Sequence, residues 1–312
     1  MTTNEDTFFE KDELILGLKI DVDTYRGTKK GLPALIKLLN SEKIKGTFFL
    51  SIGKDNMGRN IWRIFKPKFL VKMLRNKAFK LYGFDILFRG FLWPGPDIGK
   101  ILKKLLRLPT KFGQEIALHS YDHYKWQMNI NKFSQEQVEK EFRKANIRWF
   151  KLFGSPPSAM GNPGWQLSEE WLRLSDSIIC KDVKYRSDTR GTTCCRIKYN
   201  GLTFNKLQIP TTLPTYDEVI GRKGVTDETY NEYLLSLIEP GKLNVLTIQA
   251  EIEGIACFKM FREFVQKCKH KGIKIVPLSE IYEKFQNTGK VMNLHFQEIP
   301  GREGQLAVLK NS

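Results

Sequence analysis

Histidine is scarce in this chain, with four among 312 residues, and cysteine is hardly commoner at five. The odd cysteine count, the adjacent Cys194-Cys195 pair and the lack of any Cys-x-x-Cys spacing argue against a disulfide framework and suit a reduced, cytosolic compartment. No run of about eighteen uncharged apolar residues occurs, so a membrane-spanning helix is not expected. The polar start, Met1 to Glu13, lacks a basic segment followed by an apolar one, so it reads as a tail and not as a secretory leader. Internal repeats, low-complexity tracts and dividing linkers are absent as well. With 41% hydrophobic residues, the stretch 14–312 can bury a full core and reads as one domain.

Two of the four histidines stand four residues apart. His119-Ser-Tyr-Asp-His123 follows the strand-like run Glu115-Ile-Ala-Leu118. At that spacing two imidazoles share one face of a helical turn and can chelate one metal ion, although such a pair can equally be a solvated helix face. A second feature favours the metal: Asp21 and Asp23 lie where the strand-like run from Leu14 would end. Two histidines and one carboxylate make a three-ligand site with a position open to water, and the second carboxylate can take that water's proton. Without the histidines, the two aspartates would read as a turn at a strand end.

Acids are nearly missing between Asn56 and Lys111. That stretch has 14 Lys or Arg against Asp85 and Asp97, and so carries +12 of the net +17. Nine aromatics are interleaved there: Trp62, Phe65, Phe69, Phe79, Tyr82, Phe84, Phe88, Phe91 and Trp93. Three readings fit the mixture: a segment in a membrane interface, a surface that stacks on single-stranded nucleic acid, or core aromatics under a solvated charged face. The excess of Phe and Leu over Tyr leans toward the membrane among the two binding readings.

Strand-like runs at Leu14–Ile20, Thr47–Ser51, Glu115–Leu118, Ser158–Met160, Ile178–Lys184, Leu207–Ile209, Leu243–Ile248 and Ile273–Val276 alternate with helical patterns. The helices are expected at Leu32–Leu39, Gln135–Phe150, Glu169–Leu174, Asp227–Ile238, Phe258–His270 and Glu280–Phe285, with Ser134 and Gln137 as a capping box. This alternation predicts an α/β fold, a parallel barrel of seven or eight strands with residues 56–111 inserted between the second and third units. Chemistry then belongs at the carboxyl ends of the strands, and Asp21, Asp23, His119, Asp188 and Gln249 all fall just after strand-like runs.

The Asp-x-Asp and His-Ser-x-x-His motifs resemble the first two motifs of the polysaccharide deacetylase, or NodB-homology, superfamily, whose members remove acyl groups from amino sugars with a divalent metal. Longer strings narrow the resemblance. Ile20-Asp-Val-Asp-Thr-Tyr-Arg-Gly27, Asp55-Asn-Met-Gly-Arg59, Thr212-Leu-Pro-Thr-Tyr-Asp-Glu-Val-Ile-Gly-Arg222 and Gly301-Arg-Glu-Gly304 are similar to the bacterial 4-deoxy-4-formamido-L-arabinose-phosphoundecaprenol deformylases, from about Leu16 to about Leu306. The resemblance implies a distorted (β/α) barrel with Asp23, His119 and His123 as metal ligands and Asp21 as the base. It implies zinc, or else manganese, cobalt or nickel. It also implies a polyprenyl-phosphate-linked amino sugar contacted by Arg26, Arg59, Trp165, Asp188, Arg190, Tyr216 and Arg302. The enzyme would lie peripherally on the anionic cytoplasmic face of the bacterial inner membrane, acting in lipid A modification, with no nucleic-acid partner.

Two departures stand out. The third superfamily motif normally carries an arginine that orients the base, and Gly161-Asn-Pro-Gly-Trp165 has none. Leu246-Thr-Ile-Gln249 occupies the place of a Leu-x-x-His whose histidine is assigned as general acid. Glutamine can donate a hydrogen bond but cannot titrate. A catalytic proton would then come from Glu251, Glu253 or water; alternatively the chain is a weakened homologue that binds the lipid-linked sugar. Deacetylation of a lipid-linked N-acetyl sugar remains a neighbouring reading.

Overall fold

The computed structural model describes residues 10–59 and 95–311. From the amino end the elements are β1 (Ile15–Val22), α1 (Leu32–Ser41), β2 (Thr47–Ser51), β3 (Glu115–Ser120), α2 (His123–Asn129), α3 (Gln135–Phe153), β4 (Ala159–Met160) and α4 (Glu169–Asp176). There follow β5 (Tyr185–Arg186), β6 (Cys195–Tyr199), β7 (Leu202–Gln208), α5 (Tyr230–Ser236), β8 (Asn244–Gln249), α6 (Phe258–His270), β9 (Lys274–Val276), α7 (Leu278–Phe285), β10 (Val291–Glu298) and β11 (Gln305–Lys310).

Every residue of β1 is buried, because both faces of the strand are covered. The two-residue period sorts its side chains into two cores. Ile15 points into one core with Phe49, Ala117, Ala159, Tyr185, Leu207 and Val245, residues of the neighbouring strands. Leu16, Leu18, Ile20 and Val22 join the other, packing outward with Leu35 and Leu39 of α1.

Strands β8, β1, β2, β3, β4, β5 and β7 are neighbours in that order, all paired in parallel. After β7 the chain returns to β8: Thr212 N donates to Val245 O at 3.1 Å, and Val245 N donates to Thr212 Oγ1 at 2.9 Å. This closes a seven-stranded (β/α) barrel, within the expected count. A side sheet of β6, β10 and β11 extends from β7, and its β6–β7 and β10–β11 pairs are antiparallel. The expected strand at Ile178–Lys184 is instead a turn. Ile178–Cys180 is a single 3-10 turn, held by Cys180 N to Ser177 O at 3.0 Å, and the strand begins at Tyr185.

The capping box of α3 is present, with Ser134 and Gln137 exchanging hydrogen bonds with each other's backbone. Most of the basic aromatic insertion, residues 60–94 with all nine of its aromatics, lies outside the described residues. Its two ends meet beyond β2, where Asp55 N donates to Pro96 O and Gly95 N to Asn56 Oδ1, at 3.0 and 3.1 Å. Three short helical turns within 98–111 then run back along α3, tied by Arg148 to Asp97 at 2.5 Å and by Arg107 Nε to Leu152 O at 2.6 Å. Among the described residues no helix is long and apolar enough to cross a membrane.

Candidate active site

The period of β1 that buries Ile15 also aims Lys19, Asp21 and Asp23 into the barrel, in file toward its carboxyl end. His119 ends the neighbouring part of β3, and His123 opens α2, whose N-cap Asp122 accepts Lys125 N at 2.9 Å. Asp23, His119 and His123 are all buried, and their ligand atoms lie within 4.8 Å of one another. His119 Nε2 is 3.2 Å from Asp23 Oδ1, and His123 Nε2 is 3.5 Å from Asp23 Oδ2. Asp23 Oδ1 and His119 Nε2 nevertheless make no hydrogen bond among the described residues. Buried polar atoms left without partners are costly, and a cation between these atoms would satisfy them. The donor set, two imidazoles and a carboxylate, fits a divalent ion.

The surroundings prepare the ligands. His119 Nδ1 lies 2.5 Å from Gly161 O, which can only accept, so Nδ1 carries the proton and the Nε2 lone pair faces Asp23. Burial lowers the basicity of His123, against the pull of Asp23. Burial also lowers His119, but Asp21 and Asp23 outweigh it and leave that imidazole more basic than usual. For Asp23 burial raises the carboxyl, yet His123 and His119 prevail and hold it below the ordinary carboxylate range.

Two of the expected site residues turn out to brace the ligands from behind. Asp188 is fully buried beside Arg186, 3.1 Å away, and its Oδ1 accepts Asn162 N at 2.7 Å. It therefore holds the loop whose Gly161 carbonyl fixes His119, and it is too deep to touch a substrate. Glu251 Oε1 accepts Asp23 N, Thr24 N and Thr24 Oγ1 at 3.2, 2.9 and 2.7 Å, clamping the backbone that presents Asp23. A Cβ at Gly27 would overlap this carboxylate, so the close approach requires glycine there. Burial and the Asp23 charge push the Glu251 carboxyl up to about 8.

Asp21 and Gln249 are register partners on β1 and β8. Gln249 N donates to Glu253 Oε2 at 2.8 Å. Glu253 itself lies on the outer side of β8, among Leu246, Ile248 and Tyr230, where burial raises it to about 8. That position is away from the metal triad.

Trp165 forms the next wall. It adopts φ +53°, an uncommon conformation for so bulky a residue, and its Nε1 donates to Thr211 Oγ1 at 3.2 Å. Arg190 and Arg302 sit over its ring at 5.1 and 4.8 Å. Both guanidinium groups converge on Glu218 Oε1, at 2.6 and 2.9 Å, and they hold its carboxyl low against the effect of burial. Arg190 spends its other contacts on Thr211 O and Leu213 O, so it serves the wall from within. Tyr216 is buried too, its hydroxyl donating to Asp227 Oδ1 at 2.6 Å. Arg26 is half-buried in the turn after Asp23, and Arg59 is exposed at the last described residue before position 60. A cavity of about 630 Å³ is lined by Gln127, Gln166, Glu169, Tyr199 and Phe296, and by neither Trp165 nor any of Asp23, His119 and His123.

Sequence reasoning missed Lys19, Glu218 and Gly161. For Lys19 a signal existed: a lysine within an apolar strand-like run, two residues before Asp21 and so on the same face as both aspartates.

A family model described as polysaccharide deacetylase matches residues 18–177, about half of the chain. The chain is 40% identical over 292 residues to a probable 4-deoxy-4-formamido-L-arabinose-phosphoundecaprenol deformylase of Shewanella sediminis, covering 94% of this chain and 93% of the relative. It is 39% identical over 282 residues to the protein of the same description from Wigglesworthia glossinidia brevipalpis, covering 90% and 97%. Among solved structures, a Puue allantoinase superposes with a TM-score of 0.62 at 14% identity, over 92% of this chain and 95% of that one, a likeness of fold. The barrel, the Asp-His-His cluster at its carboxyl end and these similarities together place the chain in the polysaccharide deacetylase family, in the deformylase branch of hydrolases that cleave an amide C–N bond.

Proposed function

We propose that this chain removes the N-formyl group from undecaprenyl-phosphate-linked 4-formamido-4-deoxy-L-arabinose, in a metal-dependent hydrolysis at the cytoplasmic membrane surface. The observation that carries the reading is the buried Asp23, His119 and His123 triad with unsatisfied ligand atoms and Asp21 two residues before Asp23 on the same strand face. The formamido sugar is taken from the descriptions of the relatives. A divalent ion held by the triad would supply Lewis acidity, polarising the amide carbonyl and lowering the pKa of water toward ~7; zinc suits two imidazoles and a carboxylate, with manganese, cobalt or nickel as alternatives.

The remaining chemistry belongs to the chain. Asp21 removes the proton from the attacking water. Gln249 beside it cannot titrate, Glu251 clamps the backbone of residues 23 and 24 through Oε1, and Glu253 lies outside β8. In this reading Asp21, the carboxylate beside the attacking water, returns the same proton to the leaving amine, acting first as base and then as acid, while Gln249 donates a hydrogen bond. Trp165 walls the sugar site and Arg302 borders it, with Arg190, Tyr216 and Asp188 holding that wall in place. The described ends of the insertion leave and rejoin the barrel beside Asp122, where Asn56 Nδ2 donates to Asp122 Oδ2 at 2.5 Å and Gly95 N donates to Asn56 Oδ1 at 3.1 Å. Arg26 and Arg59 sit on that side for the phosphate. Formate release from the lipid-linked formamido sugar tests the reading: it should require added metal, stop with chelator and fall about a thousandfold or more in Asp21→Asn with metal retained.

A further inference from the structure

Lys19 is 1% exposed, inside the barrel and one inward position below Asp21. A buried ammonium is costly unless its charge and donors are met. Four groups meet it here, the most distant being the Trp165 ring at 5.7 Å. Ser187 O accepts from Nζ at 2.9 Å, the face of Phe49 lies 4.7 Å away, and Asp21 Oδ1 lies 3.7 Å away. Asp21 Oδ1 makes no hydrogen bond among the described residues, so this ion pair is the contact recorded for that oxygen. The perch is itself fixed. Phe49 is wedged so closely against Gly161 that a Cβ there would strike its ring, and Ser187 N donates to Met160 O at 2.8 Å. The lysine therefore shares a support with Gly161, whose carbonyl orients His119.

We propose that Lys19 is the positioning residue of the base: it takes over, from β1, the task of the arginine missing from Gly161-Asn-Pro-Gly-Trp165, and orients the Asp21 carboxylate toward the water to be deprotonated. This rests on the reading of Asp21 as base. At 3.7 Å the pair is ionic and too long for a direct hydrogen bond, so it sets the direction of the carboxylate by charge. A misplacement of about 1 Å in such a group costs on the order of a hundredfold in rate.

The test uses the full chain, zinc and the undecaprenyl-phosphate-linked formamido sugar. Lys19→Met keeps the length and removes the charge. It should lower kcat about 10- to 100-fold with KM, zinc content and melting temperature close to those of the parent, and Lys19→Arg should recover most of the loss. In the Asp21→Asn background Lys19→Met should cost nothing more, because the group it positions is gone. An unchanged kcat in Lys19→Met while Asp21→Asn is inactive would overturn the role of Lys19 and leave the base intact. Loss of zinc in Lys19→Met, or an equal further loss in the Asp21→Asn background, would overturn it too. An active Asp21→Asn enzyme would instead remove the base reading itself.

Discussion

Asp21 and Gln249 are partners in register across β1 and β8, and Ala250 N, one residue beyond, donates to Asp21 O at 2.9 Å. A side chain that cannot titrate thus stands next to the proposed base. If Asp21 carries the proton both ways, a histidine at Gln249 should add a second route. Gln249→His is expected to raise turnover about tenfold and to introduce a pH dependence near the ordinary imidazole value of ~6.5. Steady-state rates between pH 5 and 9 check this; an unchanged rate and profile would mean that the position does not face the leaving amine.

The triad and its brace make separable predictions. His119→Ala and His123→Ala should each lose the bound ion while the circular dichroism spectrum is kept. Asp188→Asn should keep the ion but bind it about 10- to 100-fold more weakly, because the Asn162 loop that fixes His119 is loosened. Metal titration of the apoproteins reads both. Full occupancy in either alanine variant would remove that histidine from the ligand set.

Glu253 predicts a pH dependence of stability. Burial pushes its carboxyl up to about 8, so the folded chain keeps a proton that the unfolded chain releases near pH 4.5. The raised value means stability is greatest below that lower pH, declines as pH rises and has lost this contribution above about pH 8. Glu253→Gln should remove the decline. Its unfolding free energy should overtake that of the parent progressively between pH 5 and 8, by a margin on the order of 1–4 kcal/mol, and its melting temperature should rise relative to the parent in step. Parallel melting curves for the two proteins across that range would place the burial of Glu253 in doubt.

The insertion is predicted to bind anionic vesicles, weakening with salt, since each interfacial Lys or Arg contributes about 1 kcal/mol. Joint replacement of Phe65, Phe69 and Phe88 by Ser should depress activity on the lipid-linked sugar far more than on a soluble truncated analogue. Equal losses on the two substrates would assign those rings to the core.

Much of the site was legible because it obeys simple periods. The pattern of β1 announced a strand whose end presents Asp21 and Asp23, and His119 and His123 do meet as their spacing suggested, although not on one helical turn: His119 stands on β3 and His123 opens α2. Helix α6 runs from Phe258 to His270 as its pattern predicts. What escaped was set by tertiary pairing. Strands β10 and β11 belong to a side sheet beyond the barrel units: Met292, Leu294 and Phe296 of β10 do alternate with polar residues, a signal that was passed over, while Leu306–Leu309 of β11 are buried throughout and show no alternation. The apolar run Ile178–Lys184 mimicked a strand, yet Ile178 faces outward from a turn. Asp188 read as a site acid because nothing local shows that Arg186, two residues earlier, is buried beside it. Gln249 and the lack of an arginine within Gly161-Asn-Pro-Gly-Trp165 were visible from the start; that Lys19 lies beneath Asp21 required the barrel to be closed.

Mass spectrometry of the undecaprenyl-phosphate-linked formamido and acetamido sugars, each incubated with the zinc-loaded protein with and without chelator, tests the central claim most directly. The account predicts conversion of the formamido lipid to the free amine, blocked by chelator, with the acetamido lipid converted far more slowly. An unchanged formamido lipid in the presence of the zinc-loaded protein, or preferential conversion of the acetamido lipid, would contradict it.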